Sequence, residues 1–296
     1  MSTISIEETR KRNSFLVRNG LDFNVSKRKL HLYDTLYSSD YNDTEFYCTV
    51  NDDTKAALGP VRSRYTVMQN NTLLDIVLEK IGEGNYDLEN SRGGTFDKGR
   101  KVYMFIKYNM QTDWGQEQAD CYVYALSSHD GSLRLTFGVS NKIHSCSNMF
   151  SVLMSDKDNN HIVKHTKRIE SIGVDGSLKD LIRNNLLGIS NLMRTMQNHI
   201  LPEGVKEEVM ELVVKKELKR ANEKHTQRRR QLELRVRDEM EKKGYTYYGL
   251  FNGITNYLTH SGNFEETDVI YGTGNKLSQT VIKHLIKDMK DRGCLN

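Results

Sequence analysis

The spacing of apolar residues along this chain shifts near residue 166, and that shift limits what each half can become. Before it, apart from one helical stretch after residue 70, apolar side chains recur at every second position in short runs closed by Gly, Asn and Asp. After it, they recur at every third or fourth position over much longer stretches. A period of two suits half-buried strands, and a period near 3.6 suits amphipathic helices. The chain is therefore read as α+β: an N-terminal antiparallel sheet with β-hairpins and a packed helix, followed by a helical C-terminal half containing one long helix. Three regions are expected: an α+β domain over 1–165 that is the candidate nucleic-acid-binding part, a helical region with a long basic helix over 166–243, and a C-terminal helical cap over 244–296. A chain of 296 residues can bury a core for each.

In the first half, strands are expected at Leu21–Val25 after the Asn19-Gly20 turn, at Phe46–Val50 and at Tyr65–Met68. Asn70 or Asn71 is placed to cap a helix with an apolar face of Leu73, Leu74, Val77, Leu78 and Ile81, closed by Gly82. Two glycine-turned strand pairs follow, one over 85–108 around Gly93-Gly94 and Gly99, the other over 121–139 around Asp130-Gly131. In the second half, helices are expected over 178–201, 205–243, 246–260 and 276–290. The second of these would be about 58 Å long at about 1.5 Å per residue. Its ends carry apolar stripes, but between Lys215 and Gln231 only Leu218 and Ala221 are apolar, so no core covers its middle.

A mean hydropathy of -0.65 and the lack of a long apolar run exclude a transmembrane helix. No apolar stretch follows a basic start, so no signal peptide is expected. Cys48, Cys121, Cys146 and Cys294 have no CxxC spacing, which points to a reducing cytoplasm rather than a disulfide scaffold. The net charge is +4, and residues 205–243 hold 13 basic and 9 acidic side chains, so the whole surplus sits there and the remainder is neutral.

Within that neutral remainder, residues 100–108 split cleanly by face. Val102, Met104, Ile106 and Tyr108 suit a core, while Lys101, Tyr103, Phe105 and Lys107 set rings between cations. Rings can stack on unpaired bases while ammonium groups meet phosphates. The same face covered by helices would simply be core, and both readings stand at this point. Tyr122 and Tyr124 in the next strand would extend the face. Arg62, Arg64, Tyr65, Arg92, Lys98 and Arg100 add further basic-aromatic positions. Arg228, Arg229 and Arg230 lie in the uncovered stretch of the long helix, where they fit a phosphate backbone or an ordinary solvated helix equally. His129, Asp130, Cys146, His161 and His165 are spaced so that a metal site is an alternative. Ser128-His129-Asp130-Gly131 also reads as a hairpin connection. Tyr271–Lys276 reads as a helix-initiating turn rather than a phosphate loop, since no strand precedes it.

Several of these turns recur in a recognisable order. Leu58-Gly59-Pro60-Val61-Arg62-Ser63-Arg64-Tyr65 with Gln69-Asn70 comes first, then Gly99-Arg100-Lys101-Val102 and Ser127–Ser132. Cys146-Ser147-Asn148, His165-Thr166, Tyr248–His260 and Gly272–Leu277 complete the series. Together they resemble the phage/plasmid-like family called domain of unknown function 932, over about residues 20–285. Ile143 stands where that family usually has Arg, and Tyr248 where it usually has Trp. The resemblance implies His129, Asp130, Cys146, Asn148, His165, Thr166, Asn252, Thr255 and Tyr257 as shared motif residues. It also implies a phage, prophage or plasmid gene acting in the host bacterial cytoplasm, with no settled activity to carry over. By fold-level analogy the pattern is similar to phage single-strand annealing proteins.

The resulting expectation is a phage-encoded, non-enzymatic protein binding single-stranded DNA in recombination or replication. It would act as a homo-oligomer, with annealing as the extended form of the activity and RNA left open. No cofactor, metal or membrane is expected; a host or phage protein partner is allowed for. Two alternatives are a metal-dependent nuclease using the His/Cys/Asp cluster, and a host-interaction or counter-defence protein using the long helix as an arm.

Overall fold

The computed structural model describes residues 5–33, 41–82, 84–113, 118–143, 149–150, 161–163, 177–217, 223–260 and 273–295. It is α+β, as the change in period requires. The chain divides into two compact units: 1–110 with 122–139 and 156–183, and 111–121 with 140–155 and 184–296. The residues of 166–243 and 244–296 that form the helical core belong to one hydrophobic cluster running from Ile189 to Met289. Amphipathic helices of a bundle have nothing else to bury their stripes against.

The first unit opens with α1 (Ile6–Arg18). Ser5 caps it, its Oγ accepting from the Glu8 backbone N–H at 3.1 Å, and Phe15 and Leu16 are its buried residues. Strands β1 (Val25–Tyr33), β2 (Tyr41–Asn51) and β3 (Ala57–Arg62) pair antiparallel in that order. The expected strand at 46–50 lies inside β2. Two other expectations are corrected. Of 21–25 only Val25 joins a strand, and 65–68 forms none. Side chains serve the backbone there instead of a ladder. Asn70 Nδ2 donates to the Leu21 carbonyl at 3.1 Å, and Lys27 Nζ donates to the carbonyls of Ser63 at 2.8 Å and Tyr65 at 3.0 Å.

Helix α2 (Asn70–Ile81) buries the five expected apolar residues and ends at Gly82, whose φ of 88° suits glycine. Its cap position is Gln69, and neither Asn70 nor Asn71 occupies it. Gln69 instead brackets Val25, accepting from its N–H at 3.0 Å and donating to its carbonyl at 2.7 Å.

The second sheet runs β4 (Tyr86–Phe96), β5 (Lys101–Asp113), β6 (Gln118–Ser128), β7 (Leu135–Ile143) and β8 (Met149–Phe150), with β9 (His161–Val163) also pairing β7. The β4–β5 turn is made by Asp97, Lys98 and Gly99, all at positive φ. Gly93 and Gly94 are not turn residues but lie within β4, paired with Met104 and Tyr103.

Five helices follow: α3 (Ser177–Asn198), α4 (Val205–Glu217), α5 (Glu223–Lys243), α6 (Tyr247–His260) and α7 (Thr273–Asp291). The single long helix over 205–243 is corrected to α4 and α5 packed side by side. Arg229 Nη1 lies 3.2 Å from Glu211 Oε2, whereas one straight helix would separate these positions by about 27 Å. Folding back brings Val205, Val209 and Val213 into the same core as Leu232, Val236 and Met240. No helix among the described residues is long and apolar enough to cross a membrane.

Candidate nucleic-acid interface

The alternation expected along β5 holds, but it does not leave an open platform. Phe96, Tyr103, Phe105 and Tyr124 form a row of rings with successive centroids 6.4, 6.1 and 5.9 Å apart. Gly94 and Gly138 make room for it, since a Cβ on either would strike Tyr103 or Tyr124. Phe105 and Tyr124 are each only 1% exposed and Tyr122 is buried too, so these rings are core and cannot take a base. The stacking role expected for Phe105 is therefore withdrawn. Lys101 and Tyr103 are half-buried, as is Phe96 at the row's end, with Lys101 Nζ 5.5 Å from the Phe96 ring and 3.3 Å from Asp97. Lys107 and Arg92 are half-buried on the neighbouring rungs.

Three turns that are far apart in sequence meet beside this row. Tyr65 Oη donates to the Ser128 carbonyl at 2.5 Å, and the His129 backbone N–H donates to the Arg100 carbonyl at 2.6 Å. Gly59 passes so close to Asp130 that a Cβ on it would lie 2.6 Å from the Asp130 Cβ. Tyr65 is buried, and that burial, with the Asp130 charge near it, raises its phenol well above the ordinary range. Burial pushes the Asp130 carboxyl up, but hydrogen bonds from Ser132 and Ser128 and the charge of Lys101 outweigh it, leaving the group below its usual range. His129 is fully buried, with its ring edge-on to Phe23 at 5.7 Å. The motif residues His129 and Asp130 thus fasten the turns together. The same junction carries cations outward. Arg62, Arg64 and Lys98 are exposed, and the Arg100 Nε is buried without a hydrogen-bond partner among the described residues.

The first sheet supplies what β5 does not. Residues directly opposite in an antiparallel pair share a face. Phe46 of β2 is opposite Arg62 of β3, and Cys48 is opposite both Arg28 of β1 and Pro60 of β3. On this face Phe46 is 52% exposed, and Arg28 and Arg62 are exposed with it. An open ring flanked by arginines is the arrangement sought on β5, placed on a different sheet. Sequence reading passed over Phe46 and Arg28 because only the strand register sets them beside Arg62.

In the helical unit, Arg229 is held by Glu211 and Glu233, so it belongs to the packing of α4 on α5. Arg230 is exposed and Arg228 half-buried. Asn252, Thr255 and Tyr257 are buried in α6, where Thr255 Oγ1 donates to the Phe251 and Asn252 carbonyls. Cys146, Asn148, His165 and Thr166 lie outside the described residues. No group of three or more His, Cys, Asp or Glu among the described residues is arranged to hold a metal ion.

A family model described as a domain of unknown function, DUF932, matches residues 57–281, well over half of the chain. No curated protein and no solved structure matches.

Proposed function

Starting from the fact that the chain belongs to the DUF932 family, we propose that it binds single-stranded nucleic acid, DNA in the first instance, in the recombination or replication of a phage-type element. It would do so in a bacterial cytoplasm and as a homo-oligomer whose copies extend the binding face, with strand annealing as a consequence. The observation that carries this reading is the exposed Phe46 ring directly opposite Arg62 on an open sheet face. An unpaired base stacks on such a ring while guanidinium groups meet the flanking phosphates. Arg64 and Lys98 at the adjoining junction continue the cationic track.

Fluorescence anisotropy with a labelled oligonucleotide, titrated at low and high salt, tests it. Binding should weaken with salt at a logarithmic slope of about -2 to -3, as for three or four phosphates on a single strand. Phe46→Ala should weaken binding about tenfold or more while barely altering the slope. Arg62→Gln should reduce the slope by about 0.7. Absence of binding at low salt, or binding indifferent to both substitutions, would overturn the reading.

A further inference from the structure

The helical unit contains three buried oxygens that accept no hydrogen bond from any described residue: Glu239 Oε2, Asn252 Oδ1 and Asn256 Oδ1. Glu239 is 5% exposed and Asn252 fully buried. The amide orientations are fixed by their own bonds. Asn256 Nδ2 donates to Glu239 Oε1 at 2.9 Å, and Asn252 Nδ2 donates to the Tyr248 carbonyl at 3.0 Å. Turning either amide would set oxygen against oxygen, so both Oδ1 atoms remain acceptors.

Glu239 and Asn256 meet across the contact of α5 with α6. Asn252 and Asn256 are a turn apart on the same flank of α6. Between them Gly253 lets α6 sit directly on α5, since a Cβ there would lie 2.4 Å from the Val236 Cα. Glu239 follows Val236 by about one turn of α5 and reaches Asn256 across this contact. The flank thus carries one carboxyl oxygen and two amide oxygens to which no described residue donates. A buried carboxylate oxygen with nothing donating to it costs several times an ordinary lost hydrogen bond.

We propose that this flank binds a monovalent metal cation, sodium or potassium, which ties α5 to α6. Neutral and anionic oxygens are the donors that hard cations take. One positive charge cancels the single carboxylate, whereas a divalent ion would leave net charge inside a helical core. The site does not depend on the nucleic-acid reading, and its test involves no nucleic acid.

The test is the thermal unfolding midpoint of the full chain in sodium, potassium and choline chloride at equal ionic strength. The wild type should melt roughly 2–4 °C higher in sodium or potassium than in choline, an ion too large to enter. Glu239→Gln should abolish that difference. Where that variant does not fold, Asn256→Ala, which removes one of the oxygens, should shrink it. Equal wild-type midpoints in the three salts would overturn the proposal, as would a difference undiminished in both variants. A rise produced by calcium alone would overturn the monovalent assignment.

Discussion

Helix α6 and the β1–β3 sheet use polar residues in opposite ways. From Tyr247 to Thr255 every residue of α6 is buried, and its Asn252 and Thr255 turn their donors onto the helix's own carbonyls. The sheet leaves one face in solvent, with Phe46 half exposed and Arg62 outward beside it. Residues singled out from the sequence therefore divide by place. Asn252, Thr255 and Tyr257 hold a core together, whereas Arg62 and Arg64 lie where a ligand can reach them. A surrounded helix has no bulk water to meet its polar atoms, while a sheet packed on one side has.

The sharpest way to break this comparison is to exchange the fates of two rings. Phe105→Ala should cost about 3–5 kcal/mol of unfolding free energy in a urea titration, because it empties a filled core site. Phe46→Ala should cost far less in the same titration, about 1 kcal/mol, because its ring is already half exposed. Equal losses would show that the sheet face is not open.

Two glycines sharpen the helical side. Gly253→Ala should cost about 3 kcal/mol, since its Cβ meets the Val236 backbone and α5 must move away. Gly188 in α3 meets nothing, so Gly188→Ala should stabilise by about 0.5–1 kcal/mol through helix propensity alone. Denaturant midpoints of the two variants should move in opposite directions.

The smallest effect concerns acid. Asp130 in the first unit and Asp288 in the helical unit both sit below the usual carboxylate range. Burial raises each, but hydrogen bonds outweigh it, from Ser132 and Ser128 at Asp130 and from Tyr247 and Arg292 at Asp288. A carboxyl whose folded value is depressed contributes fully above its unfolded value, about pH 4, and loses that contribution as pH falls through the folded value. Melting curves from pH 6 downward should thus be flatter below about pH 4 in Asp130→Asn and Asp288→Asn than in the wild type. A wild-type-like acid limb in both variants would remove these carboxylates from the account.

Much of the local structure was legible in sequence. The apolar face of α2 with its Gly82 stop, the presence of α3, α6 and α7, and the Gly99 and Gly131 turns follow from period and from positive φ. Helix α1 was missed although its signal is present, because Ser5 and Glu8 have capping-box spacing ahead of a run too polar to register as a core helix. The candidate site was half legible. Arg62, Arg64 and Lys98 were singled out and are exposed, whereas Phe46, the exposed ring opposite Arg62, was not singled out.

By itself, the sequence determined which residues share a strand or helix face, because that depends only on a local period. It could not determine which face stays open, because exposure depends on what packs there from elsewhere in the chain. Phe105 and Phe46 both sit in alternating strands. The first is buried in a row of rings that glycines of other strands accommodate, and the second stands open beside Arg62 through a register set between β2 and β3. The charged stretch at 205–243 gives the same lesson. Its helical period is local, but its fold into two packed helices was decided by the shared apolar core that Val209 and Val236 both enter.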